Sequence, residues 1–347
     1  KIPSSVTSIG SGTFRDCKEL ISIEIPSSVT SIGDHCFENC HNLTHINLAS
    51  LISTIFRSTF EGCSSLVELS LPSSVTLIEH FAFKDCKSLK HISIPDSVTS
   101  ILKSAFIGCQ SLEKVSLSSS LTKISESTFE DCSSLVEVTN LTSVTSIENG
   151  AFKGCNELKN LTFSSSLISI DNFAFFKSKI REISIPSSVK SIGTYAFSNC
   201  QDLTKIEINA QITEIKANTF LNCVKLVDIS IPSSVKLIGT GSFDNCSSLV
   251  EINLPSSLEK IEKQAFRCCW SLKKIAIPSS VSCIEKMAFK GCTALENVEI
   301  YSRIVFDKSN KNAFDGCTSL NQVMVHFSHQ IHYCHFPTKV KIIEFTK

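Results

Sequence analysis

The segment IPSSVTSIGSGTFRDC at residues 2–17 returns 23 residues later as IPSSVTSIGDHCFENC at residues 25–40, and variants of it fill most of the chain. A phenylalanine marks each of fourteen copies, and in thirteen of them a cysteine follows three residues later. The marker residues are Phe14, Phe37, Phe60, Phe83, Phe106, Phe129, Phe152, Phe175, Phe197, Phe220, Phe243, Phe266, Phe289 and Phe314. A fixed period of this length predicts a solenoid, in which neighbouring coils share one core.

Each copy divides into a strand, a turn and a return segment. Leu20, Ile23 and Ile25 have the spacing of an inward-facing strand, and Pro26 ends it because proline has no N–H for a β-ladder. The return segment has apolar residues three or four apart, which indicates an extended crossing and one helical turn around Phe37. The sequence therefore predicts a leucine-rich repeat solenoid of about fourteen 23-residue coils, with a parallel β-sheet on the concave face and short extended or single-turn helical segments on the back.

The repeats are expected to form one solenoid over residues 1–325, which starts in the middle of a repeat, followed by a C-terminal capping segment over residues 326–347. Four histidines follow at a three-residue spacing in that segment: His326, His329, His332 and His335. Metal binding is one interpretation of this spacing. The apolar residues between them favour a cap instead, because exposed coil ends need protection. We therefore predict no metal site and no cofactor.

Phenylalanine and cysteine are expected to form the structural core. Its first members are Phe14, Phe37, Phe60, Phe83, Cys17, Cys40, Cys63 and Cys86. Free cysteine packs as a small hydrophobe, and the chain has no C-x-x-C pair, so reduced thiols are expected. Disulfides between adjacent coils stay open on geometry, because equivalent Cα atoms would lie about 5 Å apart. Four cysteines outside the repeat position are expected to be the reactive ones: Cys36, Cys268, Cys283 and Cys334.

Charge and motif content exclude several classes of function. Lys plus Arg and Asp plus Glu both total 33, so no net field attracts nucleic acid, and no nucleic-acid partner is expected. No apolar run approaches the roughly 18 residues needed to span a bilayer, and no signal peptide is recognisable, so no membrane insertion is expected within this segment. The chain lacks a G-x-S-x-G elbow and a complete phosphate loop, and we predict that it is not an enzyme.

The outward side chains of the predicted strands form the candidate binding surface, because a solenoid sheet presents residues of every coil on one face. The candidate ligand-binding residues are His45, Asn47, Glu68, His91, Lys114, Glu137, Asn160, Glu182, Lys205, Glu207, Asp228, Glu251 and Lys274. Opposite charges on successive coils also fit a face built for solubility and stacking. The lack of an aromatic cluster favours a broad polar contact with protein or glycan. Ser178 replaces the repeat cysteine, and this break is read either as a local kink or as a ligand-binding irregularity around residues 173–181.

The pattern I-P-S-S-V-T-S-I-G-x-x-x-F-x-x-C closely resembles the BspA-like branch of leucine-rich repeats over residues 1 to about 325. That resemblance implies a surface antigen of the kind found on bacteria and parasitic protists, located at the cell surface or secreted. It further implies adhesion to a protein or glycan of the host cell surface or extracellular matrix. The alternative is a cytoplasmic scaffold for protein–protein interaction, which the many free thiols would suit.

Overall fold

The computed structural model describes residues 1–304, 309–326, 336 and 340–344. The chain divides into two compact units, Lys1–Lys179 and Ile180–Lys347. The first unit contains the strands β1 (Ser8–Ile9), β2 (Ser22–Glu24), β3 (Ser31–Ile32), β4 (His45–Asn47), β5 (Thr54–Ile55), β6 (Leu77–Ile78), β7 (His91–Ser93), β8 (Ser100–Ile101), β9 (Lys114–Ser116), β10 (Lys123–Ile124), β11 (Glu137–Thr139), β12 (Ser146–Ile147) and β13 (Ser169–Ile170).

The second unit repeats the same elements. Its strands are β14 (Glu182–Ile185), β15 (Ser191–Ile192), β16 (Lys205–Ile208), β17 (Glu214–Ile215), β18 (Asp228–Ser230), β19 (Leu237–Ile238), β20 (Lys260–Ile261), β21 (Lys274–Ile277), β22 (Cys283–Ile284), β23 (Asn297–Ile300), β24 (Gln322–Val325) and β25 (Lys341–Glu344). The described residues contain no helix, and the expected helical turn around each phenylalanine is instead a series of turns closed by i to i+3 hydrogen bonds, such as that from the Cys40 amide to the Phe37 carbonyl at 3.1 Å.

Each unit has two parallel ladders. The first ladder consists of the longer strands that follow each repeat leucine, and the second ladder consists of the two-residue strands of the return segment. In the first ladder β2 pairs with β4, β9 joins β7 to β11, and β16 joins β14 to β18. In the second ladder β6 joins β5 to β8, and β17, β19, β20 and β22 pair in order. The return segment, expected to be an extended crossing, is extended and also pairs from coil to coil as a second sheet.

The turns around the phenylalanines also bond from coil to coil. The amide of Phe37 donates to the carbonyl of Thr59 at 2.9 Å, and that of Phe60 donates to Ala82 at 2.8 Å. Backbone groups on this side of the coil are thus satisfied without regular secondary structure, as a buried backbone requires. The leucine-rich repeat fold is confirmed, with extended and turn segments on the back.

The core of each unit is a column of phenylalanine rings. Phe37 and Phe60 stack at 5.6 Å between ring centroids, and their planes differ by 2°. In the second unit Phe243 and Phe266 stack at 5.2 Å with planes 3° apart. Offset stacking of this kind adds to the energy of burial. Of the first core members, Phe37, Phe60, Phe83, Cys40, Cys63 and Cys86 are fully buried, whereas Phe14 and Cys17 in the first coil are half-buried.

The last strand, β25, lies within the expected capping segment. β25 pairs in parallel with β24, with Val323 opposite Ile342, and the ring of Phe336 lies 5.5 Å from that of Phe314. His329, His332 and His335 lie outside the described residues. The division into a solenoid at 1–325 and a cap at 326–347 stays a prediction.

The break in register at the end of the first unit is packed, not open. Ser178 is buried at the position of the missing cysteine, and its amide donates to the carbonyl of Phe175 at 2.9 Å. The ring of Phe173 meets that of Phe176 edge-on at 5.8 Å, and the Lys177 ammonium lies 5.5 Å from the Phe176 centroid. The rings of Phe173 and Phe176 are half-exposed, and a ligand-binding role for residues 173–181 stays a prediction.

Candidate functional site

The candidate site is the outward surface of the first ladder, which we call the strand face. Period-two alternation places His45 and Asn47 outward on either side of buried Ile46 in β4. The thirteen candidate residues all lie on this face, exposed except for half-exposed Lys205. They are His45, Asn47, Glu68, His91, Lys114, Glu137 and Asn160 in the first unit, and Glu182, Lys205, Glu207, Asp228, Glu251 and Lys274 in the second. Their role in ligand binding stays a prediction.

Charges on the strand face of the first unit pair between coils. His91 lies opposite Lys114 in the ladder, and Lys114 lies opposite Glu137. The Lys114 ammonium is 2.9 Å from a Glu137 carboxylate oxygen, with about half of each side chain exposed. Solvent screening keeps such pairs weak, so a ligand could replace them at little cost.

The second unit has two similar ion-pair groups. The Lys205 ammonium lies 2.8 Å from Glu207 on its own strand and 3.8 Å from Asp228 on the next. The hydrogen bond that the Lys205 ammonium donates to Glu207 raises the pKa of Lys205. Farther along, Lys274 and Glu251 are joined at 3.0 Å. The face therefore presents paired charges and hydrogen-bonding groups without a strong local field.

A groove opens beside the second of these pairs, above the short side chain of Ala276. Its volume is about 390 Å³. Its polar lining residues are Glu251, Asn253, Lys274, Asn297, Glu299 and Tyr301. The phenol of Tyr301 donates to a Glu299 carboxylate oxygen at 2.6 Å, and this bond raises the pKa of Tyr301.

Sequence reasoning identified part of this groove. Glu251 and Lys274 belong to the candidate set, but Asn297 and Tyr301 do not. A signal was present, because Tyr301 occupies the position held by Pro278 in the preceding copy. Buried residues alternate with outward residues along the four-residue strand β23, and this alternation makes Tyr301 the next outward residue.

Burial suppresses the reactivity of most of the cysteines. The sixteen cysteines among the described residues are all free. Cys36, expected to be reactive, is fully buried, and burial raises its pKa to about 12. That expectation is wrong for Cys36, because only the thiolate is a good nucleophile. Cys268 and Cys283 are partly exposed, and Cys334 lies outside the described residues.

Within the described ranges, no three His, Cys, Asp or Glu side chains come together as metal ligands. The same part of the chain has no helix long and apolar enough to cross a membrane.

Repeated Leu-x-x-Ile-x-Ile strands, parallel ladders and an exposed polar strand face define a leucine-rich repeat protein. This chain belongs to the family of the BspA type leucine rich repeat region, which matches residues 1–113, 58–148, 122–240 and 213–343. Leucine-rich repeats are typically protein-binding modules without catalytic activity. No curated protein matches the chain.

Solved bacterial structures share the fold. The chain is 33% identical to a leucine-rich repeat protein from Bacteroides ovatus, covering 98% of this chain and 88% of that one, with a TM-score of 0.88. It is 26% identical to a leucine rich cell surface protein from Faecalibacterium prausnitzii, over 94% of this chain and 87% of that one, with a TM-score of 0.51. A leucine-rich repeat protein from Eubacterium ventriosum shares the fold at 24% identity and a TM-score of 0.54, over 89% and 84% of the two chains.

Proposed function

We infer that this chain is a non-enzymatic recognition module of the cell surface, which contacts a host protein or glycan through the strand face. Membership of the BspA-type family supports this function, as does its likeness to a solved structure described as a cell surface protein. Both support the proposal of surface display, and neither identifies a ligand.

The observation that carries the proposal is the exposed polar content of the first ladder. Folding requires the buried residue of each strand, such as Ile183 and Ile206, but not the side chains that flank it. The strand face nevertheless presents His, Lys, Asp, Glu and Asn in register on neighbouring coils. Weak, exchangeable ion pairs and amides suit a broad polar contact, in which many modest interactions add up.

The free thiols favour a second function, an intracellular scaffold, because reduced cysteines are typical of the cytosol. Their burial weakens this argument, since a thiol without solvent access resists oxidation in any compartment. Both functions use the strand face and differ in location.

Location is tested by labelling intact cells of the source organism with antibodies raised against residues 1–347. Signal on unpermeabilised cells is the expected result. Signal that appears only after permeabilisation would reject surface display and leave the scaffold.

Use of the strand face is tested by comparing two ion pairs. The variant Lys114→Ala/Glu137→Ala removes a strand-face pair, whereas Lys103→Ala/Glu126→Ala removes a pair of similar exposure, at 2.8 Å, away from that face. We expect the first variant to reduce adhesion of the purified protein to host cells or matrix at least threefold and the second to leave it unchanged. Equal adhesion by both variants would place the binding surface elsewhere.

A further inference from the structure

The geometry points to the groove above Ala276 as a subsite for one neutral hexose of a glycan, an assignment that rests on the proposed surface-recognition function. The strand face of the second unit is concave at this groove, which is lined by residues of three successive coils. Its volume of about 390 Å³ lies near the lower end of small-molecule sites, which is about 300 Å³.

Two departures from the repeat create this groove in adjacent coils. Ala276 occupies the position that Asn253 has in the preceding copy and Glu299 has in the next. Its short side chain therefore leaves a gap between two longer polar side chains. Glu299 is its direct partner in the ladder. In the coil of Glu299, Tyr301 replaces the proline found as Pro278 one repeat earlier. The small side chain of Ala276 at the base of the groove and the aromatic ring of Tyr301 at its side therefore come from adjacent coils.

The polar lining matches the chemistry of sugar hydroxyls. A hydroxyl both donates and accepts, and so do the side-chain amides of Asn253 and Asn297. The carboxylates of Glu251 and Glu299 accept, and the Lys274 ammonium, held 3.0 Å from Glu251, donates. Neighbouring donors and acceptors of this kind can bind adjacent hydroxyls of a pyranose ring at the same time.

Charge selects against acidic sugars. The lining contains two carboxylates and a single ammonium, and the ammonium is already paired with Glu251. A sialic acid or uronic acid would add a third carboxylate to a lining whose described residues already carry one net negative charge. Like charges at such a distance repel one another, so a neutral hexose fits the site better.

Tyr301 supplies a preorganised apolar surface. Its hydroxyl is held by Glu299 at 2.6 Å, and its ring stacks on that of His326 at 4.2 Å with planes 16° apart. The side chain is nevertheless 38% exposed. An aromatic ring fixed in this way loses little conformational entropy on binding, and its open part can pack against the C–H groups of a sugar.

The experiment uses the full chain on an array of neutral hexose-terminated and sialylated oligosaccharides, with affinities then measured by calorimetry for the best neutral binder. Ala276→Leu fills the groove and removes no polar group. Ser230→Leu is the matched control, because Ser230 is an exposed residue at the equivalent position of β18. We expect neutral glycans to bind the wild type and Ser230→Leu equally, and Ala276→Leu to bind at least tenfold more weakly.

Binding of Ala276→Leu at wild-type affinity, preference for sialylated glycans, or no binding to the array would each overturn the subsite. Should Ala276→Leu fail to fold, Tyr301→Ala provides the same test, again with at least a tenfold loss expected. Failure of the subsite is separable from failure of the proposed function. If the wild type still adheres to host cells and is displayed on intact source cells, only the hexose site is rejected, and a protein ligand is the remaining class.

Discussion

At the residue scale, the repeat cysteine acts as a buried hydrogen-bond donor. The Sγ of Cys63 donates to the carbonyl of Phe37 at 3.1 Å, and that of Cys86 donates to Phe60 at the same distance. Each thiol thereby adds a second hydrogen bond to a carbonyl of the previous coil that already accepts one from a backbone amide, as the Phe37 carbonyl does from the amide of Cys40 at 3.1 Å. Cysteine suits this position because it combines small size with a weak donor.

The buried thiol of Cys36 leads to a prediction about the free energy of unfolding at alkaline pH. Burial raises its pKa from 9.0 to about 12, so the folded chain keeps this proton at a pH where the unfolded chain has lost it. Stability contributed by the neutral thiol is complete below pH 9 and is lost between pH 9 and pH 12, by about 1.4 kcal/mol per pH unit. Urea unfolding at a series of pH values should show Cys36→Ala losing stability less steeply than the wild type.

Thr59→Ala provides the control for this effect. Thr59 precedes Phe60 as Cys36 precedes Phe37, and it is buried but does not titrate in this range. Its replacement removes a hydrogen bond to the Phe56 carbonyl at 2.8 Å, which lowers stability equally at every pH. Equal pH slopes for Cys36→Ala and the wild type would contradict the role assigned to burial.

The sequence was sufficient to predict which residues recur but not what each one contacts. The spacing of Phe37 and Cys40 predicts stacking between coils, whereas the bond from Cys40 to the Phe14 carbonyl depends on a geometry that spacing does not define. The prediction that Cys36 is reactive is wrong because a position outside the cysteine register does not imply exposure. Cys36 occupies the small buried position before a phenylalanine, where Ala82 stands in a later coil.

At the element scale, the turn before each repeat cysteine requires a left-handed residue. Asp85 has φ of 56° there, and Gly108, one coil later, has φ of 74°. A Cβ on Gly108 would lie 2.6 Å from a carboxylate oxygen of Asp85. Asparagine can instead form a ladder, as between Asn222 and Asn199 at 3.1 Å. Aspartate, asparagine and glycine occupy this position before every repeat cysteine except Cys269, where Cys268 has φ of 56°, and they suit it for two reasons, backbone conformation and space.

Three alanine substitutions distinguish the effect of backbone conformation from the effect of space at these glycines. Gly10→Ala should have little effect, because the site is neither left-handed nor crowded, and Gly12→Ala, at φ of 63° with open space, should cost about 1 kcal/mol. Gly108→Ala combines φ of 74° with the Asp85 contact and should cost more than Gly12→Ala. Urea denaturation gives the order directly, and equal losses for Gly12→Ala and Gly108→Ala would show that the contact with Asp85 is unimportant.

Element prediction succeeded where the period-two pattern was long enough to recognise. Ile183 and Ile185 alternate with exposed residues over four positions, which defined the strand face correctly. The second ladder was missed because a two-residue strand such as Ser146–Ile147 has no alternation to detect. The candidate residues include Glu251 and Lys274 of the groove, but the groove itself is not predictable because its volume depends on Ala276 lying between longer neighbours, and the pairing of coils decides that arrangement.

At the scale of the whole molecule, each unit is stabilised through contacts between neighbouring coils. Phe83 shows this coupling, since its ring stacks on Phe60 at 5.4 Å and on Phe106 at 5.0 Å. A single coil has no partner for such a ring. Stability in an array of this type is approximately a sum over coils and the interfaces between them, so one core defect weakens both flanking interfaces.

Phe83→Ala is therefore expected to lower the free energy of unfolding by about 3 to 5 kcal/mol, because it leaves a cavity in a fully buried column. Hydrogen exchange should quicken most in β6, which belongs to the coil of Phe83, and in β5 and β8, which belong to the coils on either side. Phe81→Ala is the matched control, with the same chemical change two residues away at a half-exposed site near Arg57 and Lys84. It should cost less than about 1.5 kcal/mol, in line with surface substitutions. Because only Phe83 joins the stacked column, similar losses from both variants, or exchange that quickens evenly over the first unit, would contradict coil-to-coil coupling as the source of stability.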